Sequence, residues 1–222
     1  MFNYCPPKEL PDLVSQTAPD GKRFYTLPNG VKLPSVTTVL GAQKKQAIME
    51  WRKRVGEAEA NRISKIATSR GTNVHSLCEY YLNNETNLNK KENVKPDAFE
   101  MFLSLKPLLN RINNIHYQEQ ALWSEKLGMA GRVDCIAEFD GELSVIDFKT
   151  SKRPKTPAQI EDYYWQTSAY ALMYEDMIGV PINNTVIIMA VEDSEPLLFK
   201  QKTADHIDGL VEAIIYYRKN TK

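Results

Sequence analysis

Apolar residues occupy both faces of two strand-like segments that flank Asp140-Gly141 in the second half of the chain. Asp-Gly between two segments rich in β-forming residues is a strong signal for a two-residue turn, so the pattern predicts a β-hairpin. A two-residue turn fixes the register, and we expect Asp134 on the first strand to lie directly across from Asp147 on the second. Because apolar residues surround both charges, these strands are expected inside a sheet rather than at a solvated edge.

Helical and strand patterns also cover the rest of the chain. Short strands are predicted at 23–26 and 31–33, around the turn at Pro28-Asn29-Gly30. A break is expected at Arg70-Gly71-Thr72, with Thr72 as the N-cap of the next helix. Helices are predicted over about 44–55, 58–69, 72–82, 96–112, 158–177 and 204–217, and further strands over about 118–124, 184–191 and 196–200.

The order of these elements predicts a single mixed α/β domain over residues 1–222. Residues 1–114 are expected to form an N-terminal hairpin and a helical lobe, and residues 115–222 the core of the domain. A chain of 222 residues is long enough to bury one full hydrophobic core.

The charge and the cysteines narrow the classes of protein. The 28 basic and 28 acidic residues give a formal net charge of zero, which argues against binding to a polyanion by total charge but allows local basic patches. Cys5, Cys78 and Cys135 form no zinc signature and no disulfide framework, which favours a reducing cytoplasm. No apolar run approaches the ~18 residues of a membrane span, and the first residues do not resemble a signal peptide, so we expect a soluble, unexported protein.

The two aspartates of the hairpin are the strongest candidates for chemistry. Like charges placed across a sheet destabilise it, so Asp134 and Asp147 need a counter-charge. Lys149, two residues further along the same face, supplies one, and a bound divalent cation would supply the rest. The alternative is an ordinary exposed hairpin face, on which Asp and Lys are common.

Other polar side chains are open to two interpretations. His75 is either a packed histidine or a ligand near a helix N-terminus that follows Arg70-Gly71, a position suited to phosphate. Glu119 is either a solvated glutamate or a carboxylate beside the metal site. Gln166 and Tyr170 lie four residues apart on one helix face, and Tyr163 and Tyr174 extend that stripe. The stripe indicates either aromatic packing or residues that position bases.

Two clusters of basic residues flank the carboxylate–lysine pattern. One consists of Lys149, Lys152, Arg153 and Lys155, and the other extends from Lys44 through Arg70. Such clusters are usually solvated faces. Next to carboxylates, however, they suggest a phosphodiester backbone as the polyanion, with Arg70, Thr72, Lys152, Arg153 and Lys155 as candidate contacts.

Four motifs in this order resemble the PD-(D/E)XK nuclease superfamily, in the branch of the RecB nuclease domain and AddB-type nucleases. They are Arg70–His75, Gly131–Asp134, Ile146–Thr150 and Gln166–Tyr170. Within this branch, the chain is similar over roughly residues 115–172 to the family of mitochondrial genome maintenance exonucleases and their phage and bacterial relatives. No transit peptide is recognisable, which favours a bacterial or phage member.

The resemblance implies an α/β restriction-endonuclease-like fold, with a mixed central sheet flanked by helices and a helical N-terminal lobe. It also implies metal coordination by His75, Asp134, Asp147 and the backbone carbonyl of Phe148. Mg²⁺ suits oxygen ligands, and a histidine makes Mn²⁺ an effective substitute. Iron–sulfur members of the branch use four cysteines, which this chain lacks, so no cluster is expected.

The same resemblance implies roles for the remaining residues. Lys149 would orient or deprotonate the attacking water and offset the charge that develops on the phosphate. Glu119 matches a recurring glutamate, and Gln166 and Tyr170 would position the strand near the scissile bond.

The implied activity is metal-dependent hydrolysis of single-stranded DNA from free ends, in phage or bacterial DNA processing, recombination or repair. DNA is the expected partner, with no membrane, and a monomer is favoured. The alternatives are an endonuclease or flap nuclease, an RNA-processing hydrolase, or an inactive nucleic-acid-binding module on the same fold. Inactive members usually lack one of the carboxylates or the lysine, whereas Asp134, Asp147 and Lys149 are all present here.

Overall fold

The computed structural model describes residues 1–221 and arranges them in eight strands and six α-helices. The strands are β1 Ser15–Thr17, β2 Arg23–Thr26, β3 Lys32–Pro34, β4 Ile112–Ser124, β5 Met129–Phe139, β6 Glu142–Ser151, β7 Asn184–Val191 and β8 Leu197–Lys202. The α-helices are α1 Val36–Gly41, α2 Lys45–Val55, α3 Glu57–Leu82, α4 Pro96–Leu109, α5 Glu161–Ile178 and α6 Ile207–Asn220.

A five-stranded mixed sheet forms the centre of the molecule. Its order is β4-β5-β6-β7-β8, and all neighbours are antiparallel except β6 and β7. Helices α3 and α4 bury apolar residues such as Leu77 and Phe102 on one face, and α1, α5 and α6 bury residues such as Val39, Tyr174 and Leu210 on the other. A mixed sheet flanked by helices confirms the predicted fold class.

The predicted hairpin forms from β5 and β6. Asp140 and Gly141 have φ of 54° and 81°, the left-handed conformation that a tight hairpin turn requires. The register is as predicted from Phe139–Glu142 to Cys135–Ile146, but the ladder ends there. Asp134 and Asp147 therefore lie just beyond the last pair, where β5 continues along β4 and β6 continues along β7.

The expected helix break at residues 70–72 is wrong, because α3 continues through it for 26 residues. Gly71 costs a helix about 1 kcal/mol relative to alanine. Burial of Val74, Leu77, Cys78 and Leu82, a stripe at helical spacing, outweighs that cost by packing α3 against the sheet. Thr72 is consequently inside the helix rather than its N-cap, and no helix begins there to bind phosphate.

A second, three-stranded antiparallel sheet, β1-β2-β3, packs against the end of the central sheet. Tyr25, Leu27 and Leu33 form a small apolar cluster with Ala121 and Ala130 of β4 and β5. Strands β2 and β3 were predicted, whereas β1 and α1 were not. This packing brings the N-terminal part of the chain alongside Gly131–Asp134.

The first residues of the chain cover the outer edge of the central sheet. Strand β4 lies at that edge and pairs with β5 alone within the sheet. Cys5 donates its N–H to the carbonyl of Ile115 at 2.8 Å, and Ile115 donates to the carbonyl of Asn3 at 2.8 Å. A parallel bridge between Tyr4 and Ile115 results.

The helical lobe was predicted within residues 1–114, and there the second half of α3 and α4 pack on the central sheet, whereas α2 and the first half of α3 do not. Helix α2 has no buried residue, and Ala60 is the one buried residue that α3 has before Arg70. Gly56, with φ of 86°, joins the two helices. Across residues 1–221, none of the helices has both the length and the apolar character that crossing a membrane requires.

Candidate active site

A cavity of about 500 Å³ opens where β5 and β6 separate. Helix α3, the β1–β3 sheet, the start of α1, and strands β4 to β6 with α5 all contribute to its wall. The lining residues are Ser15, Arg23, Tyr25, Ser35, Val36, Thr37, Gly71, Thr72, His75, Ser76, Glu79, Glu119, Gly131, Arg132, Asp134, Lys149, Gln166 and Tyr170.

The side chain of Asp134 is held by the backbone of β6, at a point where β5 and β6 are no longer paired with each other. Its Oδ2 accepts a hydrogen bond from the backbone N–H of Phe148 at 2.8 Å and lies 3.4 Å from Nδ1 of His75. The aspartate thus bridges β5, β6 and α3 at one point. Phe148 was predicted to offer its carbonyl to a metal, and that role stays a prediction.

His75, Glu119 and Asp134 converge in the cavity. Each offers a ligand atom, and these atoms lie within 4.8 Å of one another. Burial, together with repulsion from Asp134 and Glu79, raises the pKa of Glu119 to about 8. A carboxyl group in such surroundings favours a bound proton or a cation.

Asp147 and Lys149 form an ion pair beside this cluster. Asp147 is 1 % exposed, and burial raises the pKa of its carboxyl group although Lys149 opposes that shift. Burial alone would lower the pKa of Lys149, but the attraction of Asp147 and Asp134 outweighs it and the pKa rises. Asp147, predicted as a metal ligand, is therefore seen paired with Lys149, and Glu119 completes the three-residue cluster.

Tyr170 and Gln166 form the wall opposite α3. Tyr170 is buried beside Gln166, and burial near Asp134 raises its pKa. Gly131 makes room for it, because a Cβ at residue 131 would lie 2.7 Å from the Tyr170 hydroxyl oxygen. The close packing of Tyr170 thus explains why the Gly131–Asp134 motif begins with a glycine.

The other two tyrosines of the predicted stripe differ in position. Tyr163 lies behind Lys149, whose Nζ is 5.0 Å from the ring centroid. Tyr174 is fully buried in the core and pairs with His116 through a 2.7 Å hydrogen bond. Packing therefore accounts for Tyr174, as the plainer interpretation of the stripe required.

The predicted nucleic-acid contacts fall into three groups. Thr72 lines the cavity, and Lys152, Arg153 and Lys155 lie exposed on the loop after β6. Arg70 does not line the cavity: it is 8 % exposed, and its Nη1 donates to Glu192 at 3.0 Å. Arg70 was expected beside the site, but α3 directs its side chain toward Glu192, just after the end of β7.

Several lining residues were missed from the sequence. Arg132 could have been found, since it lies two positions from Asp134 on one strand face. Glu79 could also have been found, one helical turn after His75. Ser15, Arg23, Tyr25, Ser35 and Thr37 were not predicted as site residues, because only the docking of the β1–β3 sheet and the start of α1 brings them here.

Comparison with known proteins identifies the class that this fold and site define. Residues 42–214 match the PD-(D/E)XK nuclease superfamily, and the chain belongs to that superfamily. It is 28 % identical over 176 residues to mitochondrial genome maintenance exonuclease 1 of Homo sapiens and 29 % identical over 178 residues to that of Xenopus tropicalis. Both alignments cover 74 % of this chain, and they cover 51 % of the human and 50 % of the frog protein. The chain thus spans about half the length of these relatives.

Among solved structures, the chain is similar to an exonuclease candidate from Eubacterium rectale. The TM-score is 0.45 at 12 % identity, over 70 % of this chain and 69 % of the other.

The residues of the cavity fit a divalent metal ion, which nucleases of this superfamily use. Carboxylate oxygens suit Mg²⁺ or Mn²⁺, and the imidazole of His75 suits Mn²⁺. Oδ1 of Asp147 is buried without a hydrogen-bond partner, which is unfavourable unless a cation or a proton satisfies it. The donor set of His75, Glu119 and Asp134 lies in the same cavity as the Lys149 ammonium group.

Proposed function

We propose that the protein is a Mg²⁺-dependent or Mn²⁺-dependent exonuclease that hydrolyses single-stranded DNA from free ends. One observation carries this proposal: the ligand atoms of His75, Glu119 and Asp134 converge next to the Asp147–Lys149 pair in a cavity of about 500 Å³. A substrate phosphate that enters this cavity meets ligand atoms for a cation and an ammonium group. Superfamily membership and the two exonuclease relatives support the reaction type.

The metal ion would be held by His75, Glu119 and Asp134, and Asp147 would lie next to this donor set. A divalent ion bound there supplies Lewis-acid polarisation of the phosphoryl oxygen and a lowered pKa for bound water. Asp134 keeps its orientation because the Phe148 N–H and His75 fix Oδ2 from two sides. This preorganisation keeps the donor set in place before substrate arrives.

Lys149 would orient the attacking water and offset the negative charge that develops on the phosphate. Its ammonium group is ion-paired with Asp147 and packed near Tyr163, which limits the positions that it can take. A fixed positive charge in a partly buried site stabilises developing negative charge better than a mobile charge in water does.

The remaining cavity residues would position the strand. Gln166 and Tyr170 form one wall, and the exposed Lys152, Arg153 and Lys155 follow directly from the strand that carries Lys149. Single strands are bound by basic surfaces that follow the backbone, with aromatic groups near the bases. We propose that these residues contact the DNA strand next to the scissile phosphate.

We also propose that the protein acts as a monomer in the cytoplasm of a bacterial cell, encoded by the cell or by a phage, in DNA processing, recombination or repair. Its three cysteines are free, which is compatible with a reducing compartment. Size-exclusion chromatography with light scattering tests the oligomeric state.

The test is a gel assay on linear single-stranded DNA, labelled separately at each end, with circular single-stranded and linear duplex DNA alongside. It is run with Mg²⁺, with Mn²⁺ and with EDTA. The variants are Lys149→Ala and the control Lys126→Ala, whose lysine pairs with Asp176 outside the cavity. We expect shortening of linear single strands only, dependent on metal, retained in Lys126→Ala and lost in Lys149→Ala.

The other outcomes decide between alternatives. Cleavage of circles would assign an endonuclease, and preferential cleavage of a matched RNA would assign an RNA hydrolase. DNA binding without cleavage in Mg²⁺ or Mn²⁺ would overturn the catalytic proposal in favour of a binding module.

A further inference from the structure

Glu119 combines a ligand position with an unusual backbone conformation. Its φ is 49°, in the left-handed region that residues with a Cβ rarely adopt. The ladder is regular on both sides, since Gln118 pairs with Cys135 and Gln120 pairs with Val133. Glu119 therefore lies opposite Asp134 in a sheet whose neighbouring residues are extended. Such a conformation persists only where the surroundings hold it.

Arg132 makes the contact at this point. Its Nη1 donates to the carbonyl oxygen of Glu119, and its Nη2 donates to Oδ1 of Asp12 at 2.5 Å and to the carbonyl of Leu13 at 3.2 Å. Because Arg132 and Asp134 are two apart on β5, both side chains leave the strand on the same face. The guanidinium group thus joins the Glu119 backbone to the chain segment that precedes β1.

Charge is complementary at this point, because the guanidinium group of Arg132 lines the cavity together with the carboxyl groups of Glu79 and Glu119. Only arginine offers several donors in one rigid plane, so it can hold a carbonyl and a carboxylate at once.

We propose that Arg132 is a positioning residue for the metal ligand Glu119: it fixes the left-handed backbone of Glu119 and thereby directs that carboxylate toward His75 and Asp134. This inference rests on the proposed metal site, although not on the reaction that the site performs. Groups that orient metal ligands typically alter metal affinity by about 10–100-fold. The competing role for Arg132, which also lines the cavity, is direct contact with a substrate phosphate.

The test measures Mn²⁺ affinity by isothermal titration calorimetry, together with thermal stability in EDTA. Arg132→Gln removes both the charge and the fork, and Arg132→Lys keeps the charge but loses the planar fork. Asp12→Asn weakens only the outer half of the contact. Arg111→Gln is the matched control, because Arg111 is 38 % exposed against 35 % for Arg132, is also paired with an aspartate, and lies outside the cavity.

We expect Arg132→Gln to weaken Mn²⁺ binding about tenfold or more and Arg132→Lys at least about threefold, while Asp12→Asn and Arg111→Gln stay within about twofold of wild type. An affinity for Arg132→Gln within about twofold of wild type would overturn the inference. Equal losses in Asp12→Asn and Arg132→Gln would also overturn it, since the Glu119 contact would then be irrelevant. If Arg132→Gln does not fold, Arg132→Lys decides, and an unchanged affinity overturns the inference.

A second readout separates positioning from phosphate contact. Binding of a labelled single-stranded oligonucleotide is measured by fluorescence anisotropy in EDTA, where no metal takes part. We expect Arg132→Lys to bind the oligonucleotide as wild type does. Weaker oligonucleotide binding with unchanged Mn²⁺ affinity would assign Arg132 to the substrate instead. Wild-type protein that binds Mn²⁺ but cleaves no nucleic acid would overturn the proposed function and leave this inference standing.

Discussion

The ring of Tyr170 lies against the backbone of Gly131, closer than any side chain at residue 131 would allow. A Cβ there would come within 2.8 Å of Cε1 as well as 2.7 Å of the hydroxyl, and within 3.1 Å of Val36. The approach places Tyr170 over the strand that carries Asp134. Because residue 131 has no side chain, α5 can pack close against β5, although the two elements are distant in sequence.

Gly131→Ala is therefore expected to lower the free energy of unfolding by about 1–3 kcal/mol, because the buried tyrosine has to move. Urea denaturation measures this change, and a double-mutant cycle with Tyr170→Ala should recover part of the loss. Gly71→Ala is the control: its Cβ would meet Thr150 at 3.7 Å, an ordinary contact, so it should be neutral or stabilising. A loss in Gly131→Ala no larger than in Gly71→Ala would contradict the steric explanation.

The stability of the metal-free protein should depend on pH through Glu119. Its pKa of about 8 lies well above that of an unfolded glutamate, near 4.3. Between those values the folded protein keeps a proton that the unfolded chain releases, so wild-type stability falls as pH rises through this window.

Glutamine does not titrate. The free energy of unfolding of Glu119→Gln should therefore rise relative to that of wild type by on the order of 1–3 kcal/mol between pH 5 and pH 8, and the difference should stay constant at higher pH. Urea denaturation in EDTA at several pH values measures this difference. Glu212→Gln, at an exposed glutamate on α6, should show no such trend. A constant difference between Glu119→Gln and wild type across this range would show that the glutamate is not protonated as expected.

Tyr163 should influence catalysis through Lys149. An ammonium group over an aromatic face gains about 0.5–2 kcal/mol, so Tyr163→Leu should lower kcat about 2–30-fold with little change in KM. Tyr163→Phe keeps the ring and should retain most of the rate. Tyr80→Leu is the control, because Tyr80 faces Lys91, a lysine that does not line the cavity, at 4.5 Å. Equal losses in Tyr163→Phe and Tyr163→Leu would assign the effect to the hydroxyl group rather than to the ring.

The loop after β6 should contribute to the salt dependence of DNA binding. Replacing Lys152, Arg153 and Lys155 by alanine removes three exposed charges, and each phosphate that the variant no longer binds should reduce the slope of log affinity against log salt by about 0.7. Fluorescence anisotropy at several salt concentrations provides the slope. Arg70→Met should leave the slope unchanged and lower the free energy of unfolding by no more than about 1 kcal/mol, because the side chain of its partner Glu192 is 43 % exposed and water can replace the lost contact. A reduced slope in Arg70→Met would return Arg70 to the nucleic-acid surface.

The hairpin was predictable because its information is local. Asp140-Gly141 specifies the turn, the turn specifies the register, and the register brings Asp134 near Asp147 without knowledge of the remaining fold. The sequence could not indicate where the ladder ends. That depends on β4 and β7, which draw the two strands apart, and on the Phe148 N–H, which takes Asp134 as its acceptor.

Helix α3 illustrates the opposite case, in which local signals mislead. Gly71 and Thr72 are typical of a helix boundary, but the apolar stripe that follows them packs on the sheet and keeps the helix intact. Arg70 was misplaced for the same reason, since an unbroken helix turns it away from the cavity. The left-handed backbone of Glu119 and the docking of the β1–β3 sheet could not be predicted, because they involve contacts between residues distant in sequence, such as those that Arg132 makes with the Glu119 carbonyl and with Asp12.

The bridge between Tyr4 and Ile115 has a consequence for the behaviour of the protein in concentrated solution. A 13-residue strand at the edge of a sheet presents unpaired backbone groups to other chains, and such edges are sites of aggregation. Residues 3–5 occupy part of that edge with their own hydrogen bonds. The first residues of this chain therefore shield part of this edge, and their removal should increase self-association at high protein concentration.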